Sequence, residues 1–182
     1  GDDQSRGKRT PHASIPQQAH FRYITALTDP QIRKLIHQNV IQPNLFDEHV
    51  VELSHEGKRL ILRCDPATQR KERHRREDKI EQLKQLIEQR NAFVKQSKRA
   101  QPRSGLRSLQ AWAKRHRIAS YVELTLNENT IEWRVDEQRK NDDALLDGCY
   151  CIESDVQPAY LNKDDVHDRY KDLQKVERDF RK

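Results

Sequence analysis

Three features of this 182-residue sequence predict an α/β fold. Segments such as YVELTL and TIEWRV alternate apolar and polar residues with a period of two, as half-buried strands do. The run ATQRKERHRREDKIEQLKQLIEQRNAFVKQSKRA contains neither Gly nor Pro and spaces Ile80, Leu83, Ile87 and Val94 at helical intervals. The closing segment, from Val166 onward, carries an apolar stripe on an otherwise charged helix.

The elements follow in chain order. Residues 1–20 are polar, hold two prolines and read as a flexible lead-in. In residues 21–65, FRYITAL is a short strand. A helix then begins at Thr28 or Asp29 with Pro30 in its first turn, and Ile32, Leu35 and Ile36 form its inner face. HVVEL and RLILRC flank the turn-like Ser54–Lys58 segment and read as a β-hairpin. Residues 66–117 hold the long helix, the breaker QPRSG and a second helix, LRSLQAWAKRHRI, with Leu106, Leu109 and Ala113 on one side. The short connection makes these two an antiparallel helical hairpin. In residues 118–182, YVELTL and TIEWRV form a second hairpin around NEN, and ALLDGCYCIESD is a buried strand. The final helix is capped near Asn162, with Asp164 and Asp165 in its first turn. Its pattern is still running at Lys182, so the chain is expected to be part of something longer.

Composition restricts the function classes. Hydrophobic residues make up 34% of the chain and charged ones 35%, so the core must be thin and concentrated in a few segments. No stretch approaches the roughly 18 apolar residues of a membrane span, and a soluble chain with no membrane partner is expected. The eight histidines show no zinc-hydrolase spacing, and there is neither a Gly-rich phosphate loop nor a nucleophile elbow. Cys64, Cys149 and Cys151 fit no disulfide framework and read as small buried hydrophobes.

Charge is distributed unevenly. Residues 69–117 carry 16 basic and 5 acidic side chains, a net of +11, whereas residues 118–182 carry 10 and 16, a net of −6. The excess points to a polyanion partner for the middle block, with Arg70, Lys71, Arg73, Arg75, Arg76, Lys79, Arg115 and Arg117 as phosphate contacts. A solvated helix face is the alternative reading. Phe93 and Trp112 could stack on bases, but at this spacing they also suit a core.

One residue in the final helix is out of place. With Val166 at zero and about 100° per residue, Tyr170, Leu173 and Phe180 fall within about 40° of it, and Glu177 lands among them near +20°. Burying a carboxylate is costly unless it is paired or binds a metal. Arg181, at i+4, is the structural partner on offer.

The segment YKDLQKVERDFRK resembles the C-terminal catalytic segment of bacterial insertion-sequence transposases with a DDE active site, the branch marked by a Y-x2-R-x3-E-x6-K signature. Tyr170 and Glu177 match its Tyr and Glu. Leu173 stands at the Arg position, and the Lys position falls past the end of the sequence. LDGCYCIESD resembles the strand that precedes this helix in the family, and the likeness extends over residues 20–182. It implies that this chain supplies the last strand and catalytic helix of a ribonuclease-H-like core, with the β-hairpin and long helical hairpin as an inserted region. It also implies metal-dependent phosphoryl transfer on DNA, with Glu177 as a ligand of Mg²⁺ (or Mn²⁺) beside two aspartates that lie upstream. Further implications are DNA (transposon ends and target) as partner, a homo-oligomer, and a bacterial, nucleoid-associated cytoplasmic location. Without both aspartates the fragment is expected to be inactive alone. The rival readings are a non-enzymatic nucleic-acid-binding or coiled-coil interaction protein, and an inactive transposon remnant.

Overall fold

A computed structural model describes residues 22–181. The lead-in read over residues 1–20 lies outside them. The elements run β1 (Ile24–Ala26), α1 (Asp29–His37), β2 (Val51–His55), β3 (Lys58–Cys64), α2 (Pro66–Gln96), α3 (Pro102–Arg115), β4 (Val122–Asn127), β5 (Thr130–Val135), α4 (Glu137–Ala144), β6 (Cys149–Ser154) and α5 (Lys163–Phe180). The fold is mixed α/β, with five α-helices and two antiparallel sheets among the described residues. One sheet has four strands in the order β1-β6-β3-β2, and the other is the β4–β5 hairpin.

Local chemistry sets the element boundaries. Thr28 caps α1 and Pro30 sits in its first turn. The β2–β3 turn places Glu56 at φ 50° and Gly57 at φ 72°, the two left-handed positions that a two-residue hairpin turn requires. Asp65 caps α2, accepting from the Ala67 N–H at 3.3 Å and the Thr68 hydroxyl at 2.6 Å. The Thr68 bond is the main reason the Asp65 carboxyl titrates below its ordinary value.

β3 is buried on both faces, which is why its centre, Leu60, Ile61 and Leu62, is an unbroken apolar run. Leu60, Leu62 and Cys151 point to the face covered by Ile32 of α1 and by Ile41. Ile61 and Ile152 point to the other face and meet Val166 of α5. Each such burial contributes about 1.5–3 kcal/mol. Arg59, itself buried, holds the loop into α5 by donating to the Val156 and Leu161 carbonyls at 3.0 and 2.7 Å, while Glu52 neutralises it.

A second core lies between α2, α3 and the β4–β5 hairpin. Leu83 and Ile87 meet Leu109 and Ala113, with Ile80 and Leu106 packed alongside, as their spacing predicts. The seam is not closed by the helices alone: Ile118, Tyr121, Val122 and Ile131 belong to the same cluster. Asn91 fastens the β-hairpin to α2, its amide exchanging two 2.9 Å hydrogen bonds with the backbone of Ile131. The thin helical seam read from the sequence is thus covered from a third side.

α4 has no counterpart in the sequence reading. It contains no buried residue and no apolar stripe, so no periodicity marks it; the Asp136 cap, accepting from the Arg139 N–H at 3.1 Å, starts it.

Candidate nucleic-acid interface and the Glu177 helix

The eight cations singled out from the sequence lie on α2, on α3 or just past it, and the structure separates them. Arg70, Lys71, Arg73, Arg75, Arg115 and Arg117 are exposed, and none of the six forms an ion pair among the described residues. Lys79 is half-buried and donates to the His116 carbonyl at 3.1 Å, which ties α2 to the end of α3.

Arg76 is withdrawn from any surface role. Its guanidinium grips Asp147 through both Nη atoms at 2.6 and 2.8 Å, and also reaches Asp143 at 3.1 Å. The Arg76 and Asp147 side chains are 10% and 7% exposed. The bond to Asp147 is the main reason the Arg76 pKa rises even further above its ordinary value. The reading of Arg76 as a phosphate contact is therefore corrected: its charge is already matched inside the protein, far along the chain from where sequence could show it.

On a wheel of about 100° per residue with Leu83 at zero, Lys71 and Arg75 fall near −120° and −80°. That is the flank of α2 which, further along, carries Leu86, Gln89 and Phe93. These residues, with Arg90 of α2 and Ser108, Leu109, Trp112 and Arg115 of α3, line a groove of about 390 Å³ between the helices. Phe93 is 51% exposed, and Trp112 stacks on His116 with ring centroids 4.0 Å apart. The groove therefore combines aromatic surface with unpaired arginines, a pairing suited to nucleic acid.

The helix that carries Tyr170 and Glu177 departs from its expected setting. Val166 is fully buried and Tyr170 half-buried against the sheet, with its hydroxyl accepting from the Gln174 amide at 2.7 Å. Beyond Tyr170 the helix runs clear of the sheet, leaving Leu173, Val176 and Phe180 exposed at 52%, 51% and 88%. Glu177 is exposed too, on a patch with Gln174, Arg178 and Arg181, and it makes no ion pair with Arg181 among the described residues. The expectation that Glu177 lies on a buried face is corrected: the stripe exists, but only its first part is covered.

This setting bears on the metal. Among the described residues no three His, Cys, Asp or Glu side chains gather as ligands. Mg²⁺ demands several hard oxygen ligands, and a lone carboxylate flanked by two arginines does not fit it. Glu177→Gln should accordingly change the stability of this chain by less than about 0.5 kcal/mol in urea denaturation. A loss above about 1 kcal/mol would show that the carboxylate is held by a structural partner after all.

A polar cluster at the foot of α5 was not legible in the sequence. The Tyr150 hydroxyl lies 2.5 Å from His167 Nε2 and accepts from Arg63 at 3.2 Å. Lys171 sits 4.4 Å from the Tyr150 ring centre, where burial lowers its pKa. Tyr150 and Arg63 are neighbours across β6 and β3, and α5 brings His167 and Lys171 over them. Only the strand pairing creates the cluster, so no spacing in the chain announces it. Among the described residues no helix is long and apolar enough to cross a membrane. Comparison with protein-family models, curated proteins and solved structures gave no match.

Proposed function

We propose that this chain is the C-terminal part of a DNA transposase of the insertion-sequence DDE class, and that its α2–α3 hairpin holds the DNA backbone. The observation that carries the reading is the set of exposed cations on and beside the hairpin that have no acidic partner among the described residues: Arg70, Lys71, Arg73, Arg75, Arg115 and Arg117. A helix that needed charge only for solvation would pair most of it at i,i+4. Here the one such pair on α2, His74 with Asp78, involves none of them. Cations left unmatched release counterions when they meet phosphates, which supplies sequence-independent affinity.

In this reading β6 and α5 belong to the ribonuclease-H-like core that the resemblance implies. The exposed stripe Leu173, Val176 and Phe180 is then the surface on which the rest of that core rests. The metal chemistry of cleavage and joining needs carboxylates that the described residues do not bring to Glu177.

Titration of the chain with duplex DNA tests the reading. Four to six phosphate contacts predict a slope of log K against log salt of about −4 to −5, so affinity should fall by roughly 500-fold between 50 and 200 mM salt. Lys71→Glu, Arg75→Glu and Arg115→Glu together should flatten that slope by about 3 and leave the fold intact. Absence of binding at low salt would return these residues to a solvated surface and remove the support for a DNA-handling protein.

A further inference from the structure

The segment from residue 65 to residue 148, which holds α2, α3, β4, β5 and α4, leaves the four-stranded sheet at the end of β3 and returns to it at the start of β6. Its two feet are cysteines. Cys64 ends β3, Cys149 begins β6, and the two stand directly opposite each other in the antiparallel ladder.

The hydrogen bonds define the kind of pair they make. The Cys64 N–H donates to the Asp47 carbonyl at 2.6 Å and the Cys149 N–H to the Leu146 carbonyl at 2.9 Å, so neither bonds the other. One step along, the Asp65 N–H donates to the Gly148 carbonyl at 2.8 Å. This is a non-hydrogen-bonded pair, whose Cα atoms lie about 4.5 Å apart with side chains at their closest approach. That separation falls within the roughly 4.4–6.8 Å that a disulfide spans. The two thiols also converge: both point at the Asp147 carbonyl oxygen, from 3.7 and 3.5 Å.

Access is one-sided. Cys64 is buried, but Cys149 is partly exposed and lines an opening of about 210 Å³ with Asp65, Glu72 and Tyr150. Cys151, two residues on, is fully buried and faces Leu62 across the ladder, so it has no thiol opposite and serves as an internal control.

We propose that Cys64 and Cys149 are a redox pair that closes into a disulfide and staples the two feet of the 65–148 segment together. With hydrogen peroxide as oxidant, the Cys149 thiolate attacks one peroxide oxygen, forming a sulfenic acid and releasing water. The Cys64 sulfur then displaces the sulfenic oxygen as a second water and forms the S–S bond. Two thiols lose two electrons and two protons, and the peroxide takes up both. Burial, with the Cys64 thiol next in importance, pushes the Cys149 pKa up to about 12, so thiolate is scarce at neutral pH. Oxidation is therefore slow near pH 7 and should accelerate about tenfold per pH unit up to pH 9. The bond closes a long loop in the unfolded chain, so the oxidised protein should have the higher Tm, reversibly with dithiothreitol. The pair is independent of the DNA-binding reading.

Peptide mapping of the peroxide-treated wild-type chain tests this directly. The expected result is an intrachain Cys64–Cys149 link, a mass loss of two hydrogens, and a fall from three free thiols to Cys151 alone. Cys151→Ser should keep the link, and Cys64→Ser or Cys149→Ser should abolish it. Sulfenic or sulfinic acid on Cys149 with Cys64 left free would overturn the proposal, as would a Cys149–Cys151 link, bonds only between chains, or no reaction at pH 9. The wild-type map decides the question even if a serine variant fails to fold.

Discussion

Replacing Arg76 with methionine will cost the fold about 3–5 kcal/mol, the typical price of breaking a buried ion pair from one side. The loss comes mainly from what is left behind. Asp147 is 7% exposed, and both of its carboxylate oxygens accept from the Arg76 guanidinium. Without that cation a buried negative charge stands uncompensated beside Asp143. The pair also joins distant parts of the chain, since Arg76 lies in the third turn of α2 and Asp147 just before β6. Arg76→Lys keeps the charge but loses the two-pronged geometry, and should recover only part of the loss. The double variant Arg76→Met, Asp147→Asn removes the orphaned charge and should recover more than half of it. Chemical denaturation of the four proteins checks each step. If Arg76→Met costs under about 1 kcal/mol, or the double variant is no more stable than the single one, the pair is not carrying the contact. Where the Arg76→Met protein remains folded, its affinity for DNA should equal that of the wild type, because the guanidinium is already matched by Asp147 and Asp143.

Sequence periodicity was a good guide wherever neighbours along the chain decide the structure. The alternation in TIEWRV, the turn at Glu56–Gly57, the caps at Thr28 and Asn162, and the seam of Leu83 and Ile87 against Leu109 and Ala113 are local or nearly local facts. Arg76 shows where that guidance stops. In a run of cations it looks like its neighbours, and only the return of the chain to Asp147 distinguishes it. Glu177 fails for a different reason. A helical wheel identifies a face, but it carries no information on how far the covering sheet extends. Here the cover ends near Tyr170, so the second half of the same stripe is exposed. The Tyr150–His167 cluster and the Cys64–Cys149 pair are products of strand register, which the apolar pattern of each strand alone does not specify.

Gly148→Ala should destabilise the protein by at least about 2 kcal/mol more than Gly57→Ala, although both glycines adopt nearly the same left-handed backbone. Gly57 has φ 72° and open space around the position a Cβ would take. Alanine there suffers only the conformational penalty of about 1–2 kcal/mol. Gly148 has φ 69°, but its Cβ would lie 2.6 Å from the Asp65 carbonyl oxygen and 2.7 Å from the Gln69 nitrogen. Both obstacles are backbone, in the cap and first turn of α2, so no side chain can swing aside to make room. The helix would have to move away from β6. That motion would stretch the bond from the Asp65 N–H to the Gly148 carbonyl and the one from the Gly148 N–H to Glu72, both 2.8 Å long. Arg76 and Asp147 would be drawn apart in the same direction, so the Gly148→Ala and Arg76→Met effects should be less than additive. Comparing the two alanine variants cancels the shared backbone term and isolates the close approach of the two feet. Equal losses for Gly57→Ala and Gly148→Ala would mean that α2 does not pack on β6 this tightly in solution, and the geometry argued for Cys64 and Cys149 would lose its footing with it.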